Sequence, residues 1–303
     1  MNATITQAKP FLKWAGGKTQ LIPEIANIIP KQFKNENFIY IEPFVGSGAV
    51  LFWVLNHFPH LTKVVINDIN TDLINVYRVI KYSPDDLIEK LRKKQDKFIL
   101  LGEDKEQKKE YYYQEREMYN QRISDDIEQA ALFIFLNRTC FNGLYRVNRS
   151  GSFNVPMGDY KNPTICDEEN IQAVHRQLQK VTILNGDYQE VLKEVNKDNA
   201  LFYFDPPYRP LTETSSFNAY AKDVFDDVAQ IRLAEFCKYI DRLGYKWILS
   251  NSDPKNINPE DQFFDELYQS FLINRVLAKR MINAKADKRG VLTELLITNN
   301  GEI

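Results

Sequence analysis

The sequence predicts an α/β fold built on a Rossmann-like, doubly wound sheet, and three observations carry that expectation. Short β-branched and aromatic runs recur along the chain, stretches of helical length lie between them, and the rhythm is interrupted once by a long charged segment. The runs at residues 38–41, 63–66, 181–184, 201–204 and 246–249 each end in polar or turn residues, as strands buried on both faces do. Helices are expected at 49–56, 72–82, 168–179 and 226–243, so strand and helix alternate as in a parallel sheet. Near the end, 271–276 and 293–298 read as an antiparallel edge pair around a basic stretch at 279–290.

The interruption runs from residue 83 to 161. It is first charged and helical, then rich in Asn, Gly, Arg and Ser. It reads as an inserted, mainly helical domain, leaving 1–82 and 162–303 to close one sheet domain around 83–161. Ser83, followed by Pro84 and Asp86, suggests a capped helix start. Ile127, Ala130, Ala131, Ile134 and Phe135 trace an apolar stripe on a later helix, read as core packing.

Composition narrows the classes. A chain of 303 residues, 44% hydrophobic and 26% charged, can bury a substantial core. A net charge of -2 argues against a polybasic coat for nucleic acid, while leaving room for a local basic cleft. Cys140, Cys166 and Cys237 are well separated, with no C-x-x-C pair and no cysteine-histidine cluster, so a reduced cytoplasm is expected and no metal centre. No apolar run approaches the roughly 18 residues of a membrane span, and the polar start lacks the apolar core of a secretory signal.

The expected strand at 38–41 runs into Glu42-Pro43-Phe44-Val45-Gly46-Ser47-Gly48, with a helix beginning near Ala49. Glycines there permit a tight turn and let a ligand approach the backbone. The third glycine of the dinucleotide fingerprint is missing, which favours a cofactor without phosphates. Asp68 ends the next strand about 20 residues on, the spacing at which a carboxylate accepts from ribose hydroxyls. Alone, Gly-Ser-Gly would be an ordinary turn and Asp68 a helix cap; the combination reverses that weighting. Phe11-Leu12-Lys13-Trp14-Ala15-Gly16-Gly17-Lys18 superficially resembles a phosphate loop. Gly17-Lys18-Thr19 matches the end of that loop, but its first glycine is absent upstream, where Leu12 stands, so triphosphate hydrolysis is not the reading.

Asp205-Pro206-Pro207-Tyr208 directly follows the expected strand at 201–204, at the carboxyl edge where α/β sheets bind ligands. Consecutive prolines fix the backbone and leave carbonyl acceptors that no local helix reclaims. A carboxylate and a carbonyl side by side can accept both hydrogens of an amine, and an aromatic ring can hold a flat one. A structural turn is the weaker alternative. Residues 138–161 carry Arg138, Arg146, Arg149 and Lys161 against Asp159, interleaved with aromatic rings and a glycine bend. On composition alone, a surface for phosphates or bases and a plain solvated loop are equally good readings.

In order, Phe11 to Lys18, Glu42 to Gly48, Asn67-Asp68, the stretch from Phe141 to Tyr160, and Asp205 to Tyr208 resemble the Dam and DpnII-type family of DNA adenine-N6 methyltransferases over nearly the whole chain. The resemblance implies a Rossmann-like methyltransferase sheet, an inserted target-recognition domain, S-adenosylmethionine as cofactor and double-stranded DNA as partner. It implies that Trp14, Ala15, Gly16, Lys18, Phe44, Gly46, Ser47, Gly48, Asp68 and Asp205 hold the cofactor. Asp187 and Tyr188, in Asn185-Gly186-Asp187-Tyr188, resemble the segment near the cofactor's adenine, although Asp187 equally reads as a helix cap. Asp205, Pro206, Pro207 and Tyr208 are then the catalytic set, with Tyr208 stacked on the target base.

For the duplex, the resemblance implies Lys13, Arg138, Phe141, Asn142, Leu144, Arg146, Arg149, Pro156 and Tyr160, with Phe141 inserted where the target base leaves. Phe141 replaces the tyrosine of some relatives, which preserves stacking and removes a hydroxyl. GATC is the implied site, and a sulfonium leaving group makes a metal unnecessary. The same amine chemistry would serve cytosine N4; Asp rather than Ser before Pro-Pro-Tyr favours adenine by resemblance. A non-catalytic DNA-binding regulator of the same fold is disfavoured because Asp205, Pro206 and Tyr208 are all present.

Overall fold

A computed structural model describes residues 6–14, 18–196, 199–209, 225–279 and 291–301. Strand β1 (Phe38–Glu42) and strand β4 (Ala200–Phe204) are buried along their whole lengths, which is why neither shows a polar alternation. They lie side by side at the centre of a seven-stranded sheet completed by β2 (Leu61–Ile66), β3 (Val181–Ile183), β5 (Lys246–Ser252), β6 (Leu272–Lys279) and β7 (Val291–Thr298), in the order β3-β2-β1-β4-β5-β7-β6. The first five strands are parallel, and β7 runs antiparallel to both β5 and β6.

Chain order reverses between β1 and β4, where Tyr40 pairs with Leu201 and Ile41 with Phe202. Helices leave opposite faces at such a switch point, so a crevice opens at the carboxyl ends of the two strands. The glycine turn after β1 and Asp205 after β4 therefore face the same opening.

Alternate residues feed two cores. Tyr40, Val64, Ile66, Leu201, Tyr203 and Ile248 pack under α2 (Ala49–His57), α3 (Thr71–Tyr82) and α7 (Glu168–Leu178). Ile39, Ile41, Val65, Phe202, Phe204, Trp247 and Leu249 pack under α8 (Asp227–Arg242) and α9 (Phe263–Leu267). A short α1 (Ile22–Ile28) precedes β1.

The helical insert comprises α4 (Pro84–Leu100), α5 (Lys105–Gln121) and α6 (Asp126–Thr139). The stripe expected on α6 is wider than the sequence suggested, because residues from Ala130 to Asn137 are buried on every side. Phe135 and Leu136 belong to the same apolar cluster as Tyr40 and Val64, so the insert extends the core of one sheet face. Within it Lys94, buried, lies 2.6 Å from Glu115 and 2.7 Å from Glu128. Ser83 corrects one expectation: α4 does start at Pro84, but the Ser83 side chain makes no capping bond. Asp125 does cap α6, accepting from Glu128 N at 2.7 Å. After α6 the chain returns through two isolated bridges, Cys140 with Met157 and Val147 with Phe153. Among the described residues no helix is long and apolar enough to cross a membrane.

Candidate active site and duplex-facing surface

The glycine turn is fixed by backbone and side chain together. Gly46 and Gly48 have φ of 49° and 74°, the left-handed region that only glycine occupies freely. A Cβ on Gly46 would lie 3.2 Å from Trp14 Nε1, and one on Gly48 2.6 Å from the Tyr77 hydroxyl. Asp68 accepts from Gly46 N at 3.1 Å and Asn70 N at 2.9 Å. Asn70, not Asp68, caps α3 by accepting from Leu73 N, which leaves Asp68 at the mouth of the turn. Burial pushes the Asp68 carboxyl above the usual carboxylate range, against the pull of those N–H donors.

Asn67 ties three strand ends. Its side-chain amide donates to the carbonyls of Pro43 and Gly186, while its backbone carbonyl accepts from Val45 N. Among the described residues its buried Oδ1 and the buried Tyr188 hydroxyl have no hydrogen-bond partner. Tyr188 packs between Phe44, 5.3 Å away centroid to centroid, and Phe236 at 5.5 Å. Asp187 caps its own turn through Gln189 N and pairs with Arg232 at 2.8 Å. Orphaned polar atoms, a half-buried Phe44 and a turn closed to any Cβ fit a ligand bearing a ribose and a flat heterocycle. Ser47 is buried in the turn; Ala15 and Gly16 lie outside the described residues.

Asp205 closes the crevice from β4. Lys18, almost fully buried, places Nζ 2.9 Å from Asp205 Oδ1, and Ser250 Oγ donates to the same oxygen at 3.0 Å. Burial raises the Asp205 pKa; the Lys18 charge and the Lys18 and Ser250 hydrogen bonds act against it. Glu42, at the end of β1, is a buried acid held by the Tyr40 hydroxyl at 2.7 Å, and burial raises its pKa well above the usual carboxylate range against the pull of that hydrogen bond. Tyr208 is held at both sides: its hydroxyl donates to Glu294 at 2.6 Å and Lys18 Nζ sits 4.3 Å from its ring centroid. Pro206 is buried and Pro207 exposed. Ser250 and Glu294, on β5 and β7, escape sequence reasoning because neither lies near the motif in the chain.

The second group of expected residues lies on the loop after α6. Phe141, in the single 3-10 turn that follows α6, is 51% exposed, and Asn142 beside it has φ of 55°. Pro156 is exposed, and its carbonyl accepts from Phe141 N at 2.9 Å, which sets the two together. Lys13 Nζ lies 3.8 Å from the centroid of Tyr160, and Leu144 is half-buried. Arg146 is held through Nε by Asn154 Oδ1 at 2.7 Å. Arg149 is exposed in a turn whose N–H groups at Ser150 and Ser152 converge on Asn148 Oδ1. Arg138 is different: it is half-buried and donates to the Phe11 carbonyl at 2.8 Å, inside the molecule rather than at the loop surface.

A carboxylate and a proline carbonyl at one strand end, beside a left-handed glycine turn at the next, form the arrangement expected of a Rossmann-like methyltransferase that acts on an exocyclic amine. The family model for D12 class N6 adenine-specific DNA methyltransferases matches residues 14–282, and the chain belongs to that family. It is 50% identical over 297 residues to the type II methyltransferase M.MjaIII of Methanocaldococcus jannaschii, covering 97% of this chain and 99% of that one. It is 39% identical to the type II methyltransferase M1.LlaDCHI of Lactococcus lactis subsp. cremoris, over 97% and 96% of the two chains. The DNA adenine methylase of Haemophilus influenzae is 36% identical, over 95% and 92%. The protein is thus an adenine-specific DNA methyltransferase, and its family implies S-adenosylmethionine.

Proposed function

We propose that the protein methylates adenine N6 within GATC, on a base flipped out of the duplex, and that it does so in the cytoplasm as the modification partner of a type II system. The observation that carries the catalytic part is the placement of Asp205 and Pro206 at the β4 edge, beside the glycine turn of β1. Residues 1–82 and 162–303 act as the catalytic domain, and 83–161 as the target-recognition domain.

Trp14, Lys18, Phe44, Gly46, Ser47, Gly48, Asp68, Asp187 and Tyr188 would hold S-adenosylmethionine, with Ala15 and Gly16 beside them in sequence. That cofactor supplies an electrophilic methyl on a good leaving group, so the chemistry calls for no metal. Adenine N6 is a poor nucleophile because its lone pair is delocalised into the ring. The Asp205 carboxylate and the Pro206 carbonyl accept its two hydrogens, and these bonds strengthen as the nitrogen gains positive charge. Each acceptor is worth roughly 3 kcal/mol of barrier by analogy with single oxyanion donors. Lys18 and Ser250 both engage Oδ1, so Oδ2 is the oxygen that would meet the amine. Tyr208, braced by Glu294, fixes the plane of the base, and such positioning contributes about 7 kcal/mol or more.

Flipping costs a few kcal/mol. The exposed Phe141 ring is the group that would fill the vacated stack, with Asn142, Leu144, Pro156 and Tyr160 framing it. Arg146 is oriented by Asn154, which accepts from Nε at 2.7 Å and, through its backbone carbonyl, from Nη2 at 3.4 Å; Nη1 and the second Nη2 hydrogen would be left for guanine O6 and N7. Lys13 and Arg149 would meet base or phosphate, whereas Arg138 acts from inside by holding Phe11. The test is Asp205→Ala under single-turnover conditions: methyl transfer should fall about 10²- to 10³-fold while cofactor and duplex binding survive. Wild-type turnover would remove Asp205 from the chemistry.

A further inference from the structure

Asn137 and the loop that follows it join the cofactor-holding segment to the duplex-facing one. The Asn137 side chain is buried at the end of α6, where Oδ1 accepts from Lys13 N at 2.8 Å and Nδ2 donates to the Lys13 carbonyl at 2.7 Å. The same Nδ2 donates to the Gly143 carbonyl at 3.0 Å. One amide thus fixes both backbone polar groups of Lys13 and the bend beside Phe141. Gly143 has φ of 64°, and a Cβ there would lie 2.4 Å from Lys13 Cβ, so the loop backbone lies directly on the Lys13 side chain.

A second junction lies one residue along. The Trp14 ring stacks on Tyr145 at 5.7 Å and 22°, and Tyr145 adjoins Arg146. The Tyr145 hydroxyl in turn donates to Asp72 at 3.2 Å, near the start of α3 and four residues after Asp68. Trp14 also borders Gly46, so one ring contacts both the glycine turn and the reading loop. Lys13, Trp14 and the loop from Phe141 to Arg146 are a single packed unit rather than two sites.

We infer that Asn137 and Tyr145 are positioning residues that couple cofactor binding to duplex binding: ordering Trp14 around one ligand pre-orders the loop for the other. This rests on the roles proposed above for Trp14 and the loop. It differs from the catalytic roles, since neither residue is placed against substrate or reacting atoms.

The experiment measures, for the full chain, the affinity for a GATC duplex with and without saturating S-adenosylhomocysteine, and the affinity for S-adenosylhomocysteine with and without duplex. Wild type should show the same tightening in both directions, about 5-fold or more, because coupling is reciprocal. Asn137→Leu and Tyr145→Leu should bring both ratios to within about 2-fold of unity, and Tyr145→Phe, which keeps the stack, should retain the wild-type ratio. A purely structural role would weaken each ligand alone and leave the ratio intact. Should Asn137→Leu not fold by circular dichroism, Asn137→Asp, which keeps one acceptor and loses both donors, takes its place beside the Tyr145 pair. Wild-type coupling in a folded variant overturns that residue's role, and a wild-type ratio near one overturns the inference. Failure of the wild type to bind either ligand would instead refute the underlying functional reading.

Discussion

The strand edge and the loop after α6 meet opposite demands in the roles proposed for them. At the edge, Asp205 and Asp68 are each held by two donors that the fold supplies, and burial raises both pKa values. On the loop, Phe141, Asn142, Arg149 and Pro156 are exposed, and what order they have comes from a few backbone bonds. Chemistry at a delocalised amine, proposed for the edge, needs acceptors that do not reorganise, and the edge lies where three strands end. Reading a duplex, the role proposed for the loop, needs side chains that water can be stripped from, and the loop lies where the chain leaves the core.

Arg146→Ala should sharpen that contrast most. Losing one paired contact to guanine removes about 1 to 3 kcal/mol, so kcat/KM discrimination against substitution at a G·C pair should fall about 10- to 100-fold, with maximal rate on the cognate site little changed. Unchanged discrimination across single-base variants would break the assignment. Two glycines compare the regions directly. Gly48→Ala combines a left-handed φ with a Cβ 2.6 Å from Tyr77, and should cost about 2 kcal/mol or more in denaturant unfolding. Gly151→Ala, at φ of 81° in the loop with nothing near its Cβ, should cost only about 1 kcal/mol. Equal costs would show the strand edge to be no more tightly packed than the loop.

Titration separates them as well. The proposed mechanism requires the Asp205 carboxylate, whose pKa in the fold is raised by burial, so the acid limb of single-turnover rate should lie above the ordinary carboxylate range. Lys18→Met removes the principal influences that hold this pKa down, and should move the limb to still higher pH. A limb that stays in place would detach Lys18 from Asp205. The raised pKa also means that ionising Asp205 weakens the fold: its contribution is fully present below the unfolded value and is lost as pH rises through the folded one. The smallest expected effect is Asp125→Ala, which removes the N-terminal cap of α6, at the end of the helix away from the loop, and should cost about 1 kcal/mol of stability, leaving single-turnover rate unchanged.

The two regions also differ in how far they were legible before the structure. Gly46, Gly48, Asp68 and Asp205 stand beside the strands that aim them, so local pattern reaches them. Ser250, Glu294, Asn137 and Tyr145 act through partners more than 40 residues away on other elements, and no short motif records that. Arg138 reads as a basic loop residue by composition, yet the end of α6 turns it inward to Phe11. Ser83 precedes a proline-started helix but adopts φ of -141° and ψ of 52° without capping it. The stretch 280–290, read as a basic loop, lies outside the described residues.

Base-resolution mapping of methylated positions, in unmodified plasmid treated with the purified protein and S-adenosylmethionine, tests the joint claim of the two regions. N6-methyladenine in GATC on both strands is the expected product. N4-methylcytosine, or methyladenine spread over sites that share no GATC, would contradict it.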